Sequence, residues 1–85
     1  MRRAARSDAN QAEIIDGLRA IGASVYWIKE PVDLLVGFRK RTIAMEVKTD
    51  KGRLTKLQEE FFQFFEGEAY IVHDLQSALK AVTRK

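Results

Sequence analysis

Three charged side chains interrupt two otherwise apolar stretches near the middle of the chain. In "VDLLVGF" (32–38) the charge is Asp33; in "TIAMEVK" (42–48) the charges are Glu46 and Lys48. Both stretches read as β-strands, separated by the basic turn "RKR". Two carboxylates and an ammonium are the parts of a metal-assisted hydrolytic site, provided the fold brings them together. Side chains alternate along a strand. Ile43, Met45 and Val47 therefore share one face, and Ala44, Glu46 and Lys48 the other. In the first stretch Leu34, Val36 and Phe38 share a face, opposite Asp33, Leu35 and Gly37. Asp33 begins its strand while Glu46 and Lys48 end theirs, so an antiparallel hairpin makes the charged ends meet.

Register decides whether the charges converge. Residues directly opposite share a face, so Asp33 must pair with Glu46 or Lys48, not Val47. That requires a loop of even length, either Arg39-Lys40 or Arg39 through Thr42. Two carboxylates so close repel, and one tends to protonate. A divalent cation removes the conflict, and Mg²⁺ is commonly held by one or two carboxylates with water and substrate phosphate. Metal-bound water is a stronger nucleophile, and the metal stabilises charge on phosphate oxygens. Lys48 can orient that water or offset developing negative charge. The set suits phosphodiester hydrolysis. A Glu–Lys pair on the wet face of a half-exposed strand is the plainer alternative, and the spacing alone leaves both open.

The elements around these strands follow from pattern. Residues 9–21 read as a helix with Ile14, Ile15, Leu18 and Ile21 at helical spacing, a capping box of Asp8 with Gln11, and Gly22 as a stop. "SVYWIK" (24–29) is a strand. In "LTKLQEEFFQFFEG", Thr55 with Gln58 forms a second capping box, and Leu57, Phe61, Phe64 and Phe65 form an apolar stripe, with Phe62 pointing elsewhere. "AYIVH" (69–73) is a fourth strand, and Asp74 caps a last helix with Leu75, Ala78, Leu79 and Val82 on one side. The order is α-β-β-β-α-β-α: a small mixed β-sheet flanked by helices, with one right-handed parallel crossover.

At 85 residues we expect one domain, 1–85, with residues 1–7 a flexible basic arm. There is no cysteine, so no disulfide or thiolate–metal staple supports so small a core. No apolar run approaches ~18 residues, and the basic start lacks a following apolar stretch, so neither a membrane span nor a secretory signal is read. A soluble cytoplasmic protein is expected. The net charge of +3 is unevenly placed: residues 39–56 carry seven bases against two acids, and residues 57–72 carry four acids and no base. A basic middle suggests a polyanion footprint, although a solvated turn and loop would look the same.

"DANQAEIIDGLRAIGASVYWI", "VDLLVG", "MEVKTD" and "LTKLQEEFF", in this order and spacing, resemble the VRR-NUC (virus-type replication-repair nuclease) family of the PD-(D/E)xK superfamily. The short stand-alone bacteriophage members are the most similar, and the resemblance runs from about Asp8 to Leu79. It implies the α-β-β-β-α-β restriction-endonuclease-like core reached above from periodicity. It further implies that Asp33 and Glu46 are metal ligands, that Val47 lends its carbonyl, and that Lys48 is the catalytic lysine. Glu13 would match the helical glutamate that joins the metal site through water, and Gln58 the glutamine after the core motif. Mg²⁺ is the implied cofactor, with Mn²⁺ substituting. Relatives of this size imply a homodimer cutting branched DNA, notably four-way (Holliday) junctions, in repair. One departure is plain: the family's Pro-Asp pair is here Pro31-Val32-Asp33.

Several residues also have plain roles. Glu13 suits the helix dipole, and Gln58 is explained by its capping box. His73 reads as structural or exposed. "FFQFF" reads as core plus dimer contact, because four phenylalanines in five residues cannot all face one small core; Tyr26 and Trp27 point to opposite faces. Lys51, Arg53 and Lys56 after Lys48, with Arg39, Lys40 and Arg41 in the turn, are assigned to DNA backbone contact. The alternatives to a nuclease are a DNA-structure-binding module of the same fold with little or no activity, and an interaction fragment docking through the phenylalanine-rich helix.

Overall fold

The computed structural model describes residues 5–48 and 52–84. Seven elements follow in order: α1 (Ala5–Ala20), β1 (Ser24–Trp27), β2 (Leu34–Phe38), β3 (Arg41–Val47), α2 (Lys56–Phe64), β4 (Glu68–Val72) and α3 (Leu75–Thr83). They form one four-stranded sheet in the order β1-β2-β3-β4. The first two pairings are antiparallel, and β3 pairs parallel with β4 after the α2 crossover. This is the small mixed α/β architecture expected from the sequence. Among the described residues no helix is long and apolar enough to cross a membrane.

The ladder sorts the strand residues into two faces. Val25, Leu34, Val36, Ile43, Met45, Val47 and Val72 lie on one, and all are buried. Ile14 and Leu18 of α1 and Ala78, Ala81 and Val82 of α3 complete this core. The two helices approach closely at Gly17, where an added methyl would run into Leu75. Asp74 caps α3, its carboxylate accepting from the Ser77 backbone N–H at 2.8 Å, a bond that holds the carboxyl below its ordinary pKa.

Arg41, at the start of β3, shares the core face with Ile43 and is committed to the fold. Its guanidinium meets both oxygens of Glu68 across the β3–β4 pair and donates to the carbonyls of Ala81, Val82 and Arg84 at the C-terminus of α3. Glu68 is held below the usual carboxylate range by that guanidinium. The assignment of Arg41 to DNA contact is therefore corrected: its donors already serve Glu68 and the end of α3.

Two other expectations change. α1 starts at Ala5, so Asp8 lies inside the helix and not at its cap, and residues 5–7 of the supposed arm are helical; residues 1–4 lie outside the described residues. The apolar stripe of α2 is not core. No residue of α2 is buried; Leu57 is 52% and Phe64 70% exposed, and only Gln58, Phe61 and Phe62 are half-buried. The reason is geometric: α1 and α3 cover the face that carries the large aliphatic side chains, and nine-residue α2 belongs to the other side.

Candidate active site

The hairpin between β2 and β3 sets the site. Phe38 pairs with Arg41, leaving Arg39-Lys40 as a two-residue loop. Both take positive φ, 53° and 70°, as a type I′ turn requires. The even loop puts Leu34 opposite Met45, and the next pair outward is Asp33 opposite Glu46. The Asp33 N–H donates to Glu46 Oε1 at 3.1 Å. In return, the Val47 N–H donates to Asp33 Oδ2 at 2.9 Å. Each carboxylate thus fastens the other's strand just beyond the regular ladder.

Chain entry into β2 is equally defined. The Asp33 carbonyl accepts the Ile28 N–H at 2.9 Å, Lys29 takes φ 73°, and the Glu30–Pro31 peptide is cis. Val32, between proline and aspartate, is fully buried and anchors the turn that presents Asp33.

Glu46 lies on the less covered face of the sheet yet is only 3% exposed. Lys48 Nζ stands 3.4 Å from Glu46 Oε2. Burial, and secondarily the nearby charge of Asp33, raise the Glu46 pKa above its ordinary value; Lys48 and a hydrogen-bonding approach from the Gln58 side chain act against the rise. Gln58 acts in two ways. Its backbone N–H and its Oε1 close the capping box with Thr55, and from the first turn of α2 its side chain is a minor influence opposing the rise of the Glu46 pKa.

His73 has a place the sequence did not mark. Its Nδ1 stands 2.8 Å from the Lys48 carbonyl, which makes that nitrogen the donor. The Lys48 N–H donates to Val72 O, and Asn10 of α1 donates to His73 O. The backbone carrying Lys48 is thereby tied to β4 and α1. His73 is structural here, in keeping with one of the two roles expected for it.

Glu13 is exposed on α1, which packs on the opposite face of the sheet. No group of three or more His, Cys, Asp or Glu side chains gathers among the described residues, so Asp33 and Glu46 stand as a pair without Glu13 as a third direct neighbour. Arg53 and Lys56 are exposed on the segment leading from Lys48 to Gln58, and Arg39 and Lys40 are exposed at the hairpin tip. Lys51 lies outside the described residues.

The donor set fits a hard divalent cation. Asp33 and Glu46 each commit one oxygen to a backbone N–H, the second Glu46 oxygen faces the Lys48 ammonium, and two carboxylates with water are a usual complement for Mg²⁺. What the arrangement can do is hold a cation and a phosphate beside an ammonium at the end of a rigid strand.

The class defined by this fold and site is a small mixed α/β domain with two carboxylates and a lysine at one end of its hairpin. In fold the chain is similar to a solved structure described as a VRR_NUC domain, with a TM-score of 0.71 and 20% sequence identity over 91% of this chain and 94% of that one. At that identity the likeness shows a shared fold. No protein-family model matches the sequence, and no curated protein matches it.

Proposed function

We propose that this protein is a metal-dependent DNA endonuclease of the VRR-NUC type, acting as a homodimer on branched DNA. The observation that carries this reading is the closure of Asp33 onto Glu46 across the hairpin, with Lys48 Nζ 3.4 Å from Glu46. The nuclease-type fold supports it, and the exposed aromatic side chains of α2 support the dimer. Asp33 and Glu46, with the Val47 carbonyl, are the groups that would hold Mg²⁺ or Mn²⁺, which supplies a more acidic water and stabilises charge on the phosphate. The chain's own residues do the rest. Asp33 and Glu46 are kept in place by each other's backbone. Gln58 steadies the Glu46 carboxylate, and Lys48 orients the attacking water and offsets negative charge growing on the phosphate oxygens. Arg53 and Lys56 hold flanking backbone phosphates beside the start of α2. A two-fold dimer presents two such sites, which suits paired nicks across a junction.

The test is cleavage of a labelled four-way junction beside linear duplex, single strand and flap, in Mg²⁺, Mn²⁺ or chelator. Wild type is expected to nick the junction in either metal and not in chelator, and Lys48→Ala to lower the rate by about 10²–10³-fold. Binding without cleavage in either metal would replace the enzyme by a DNA-structure-binding module. Cleavage confined to flaps or single strands would keep the enzyme and overturn the junction.

A further inference from the structure

At the far end of the hairpin lies an open cavity of about 410 Å³ lined by Gly22, Ser24, Gly37, Arg39, Lys40 and Thr42, with Phe38 and Arg41 completing it. By register Ser24, Gly37 and Thr42 share the face that carries Asp33 and Glu46. Three sequence choices here run against the fold. Gly37 sits inside β2, where glycine weakens a strand. It has no positive φ, and an added Cβ would meet only Ser24 Cβ at 3.8 Å and the Arg41 carbonyl at 3.9 Å, ordinary contacts. By contrast, a methyl on Gly17 or Gly67 would collide with Leu75 or Phe65, and Gly22 takes φ 99°. Neither backbone nor packing asks for the bare position at 37. The other two choices are Arg39 and Lys40, which occupy both left-handed positions of a turn that favours Asn-Gly. Both are exposed, and Arg39 is steadied over the Phe38 ring, 5.0 Å from its centroid.

We infer that Gly37, Arg39 and Lys40 form a second phosphate-binding subsite for the DNA backbone, on the same face as Asp33 and Glu46. The glycine leaves the floor open for close approach, and the two cations neutralise the phosphate. Lys40 precedes Glu46 by six residue steps along β3 and its turn, roughly 20 Å at strand rise. That span matches about six base-pair steps of duplex. The inference rests on the nuclease reading for the identity of the ligand, and assigns it a footprint reaching well beyond the cut.

The experiment takes Gly37→Val and the double variant Arg39→Asn/Lys40→Gly, the latter installing the favoured turn pair. Each should raise the Tm, by about 4 °C, because each replaces a residue poorly suited to its backbone. Each should also weaken binding of a labelled duplex of about 20 base pairs roughly tenfold in chelator, and the double variant should lower the slope of log affinity against log salt by about two. Raised Tm with unchanged affinity and salt slope would overturn the subsite, as would a lowered Tm in both, which would make these residues part of the fold's own requirements. If wild type cleaves DNA while either result holds, only the subsite falls. If wild type neither binds nor cleaves any DNA tested, both proposals fall together.

Discussion

On one face of the sheet Leu34, Val36, Ile43 and Met45 are completely buried under α1 and α3; on the other Tyr26 is 63% exposed, Leu35 37%, and α2 buries none of its residues. The same four strands thus carry the stability on one side and a nearly uncovered surface on the other. Glu46 breaks the pattern of the open side, buried at 3% with the Lys48 ammonium and the Asp33 N–H against its two oxygens. The difference teaches that apolar side chains alone do not bring cover, since Tyr26, Leu35 and Ile71 stay exposed on the open face, and that the one buried charge of that face among the described residues is held by polar contacts.

The contrast is broken most forcefully from the packed side. Leu18→Ala removes a fully buried side chain from between α1 and the sheet. It should cost about 2–5 kcal/mol, lowering the Tm by more than about 10 °C in a chain of this size. Thermal unfolding by circular dichroism measures it. A loss of less than about 1 kcal/mol would mean that the core is not concentrated under these helices.

An intermediate effect comes from the one buried charge of the open face. Because the folded pKa of Glu46 lies above its unfolded value, the unfolded state gives up that proton more readily. Its contribution to stability is therefore present below the ordinary carboxylate range and is lost as pH rises through the raised folded value. Glu46→Gln, which keeps an acceptor for the Asp33 N–H, should have a higher Tm than metal-free wild type near neutral pH, the gap closing toward about pH 4. Mg²⁺ should raise the Tm of wild type and leave Glu46→Gln unmoved. A wild-type Tm that does not fall on passing from acid to neutral pH, relative to the variant, would show that Lys48 and Gln58 fully offset the burial.

The parts legible in the sequence were those set by short-range rules. Period-two alternation with an even loop put Asp33 on the same face as Glu46, and Thr55-Gln58 announced the start of α2. Less legible were the features decided by what lies across the fold. An amphipathic pattern at Leu57, Phe61 and Phe64 says that a helix has an apolar face, not that anything covers it. Arg41 reads like its neighbours in "RKR", yet its partner Glu68 is 27 residues away on a parallel strand. The alternation already placed Arg41 with Ile43 and Met45 on the core face, so that signal was present once the strand was allowed to begin at 41.

The smallest effect on folding, and a sharp test of the open face, is expected at Phe64. At 70% exposure it contributes little to the isolated domain, so Phe64→Ser should change monomer stability by no more than about 0.5 kcal/mol. A dimer interface needs about 800 Å² from each partner. Large aromatic side chains supply about 150–250 Å² each when buried, so Phe64 and Phe65 alone fall short. The remainder has to come from Leu57 and from open-face side chains such as Ile71, 40% exposed on β4. Ile71 pairs with Glu46 in the ladder, so an interface built this way reaches the edge of the acidic pair. Phe64→Ser should then convert a sedimenting dimer to monomer at micromolar protein and slow paired nicking while leaving single nicks intact. Wild type sedimenting only as monomer would remove the homodimer from the proposal. A variant that loses several degrees of Tm with no change in mass would show instead that Phe64 serves the fold of its own chain.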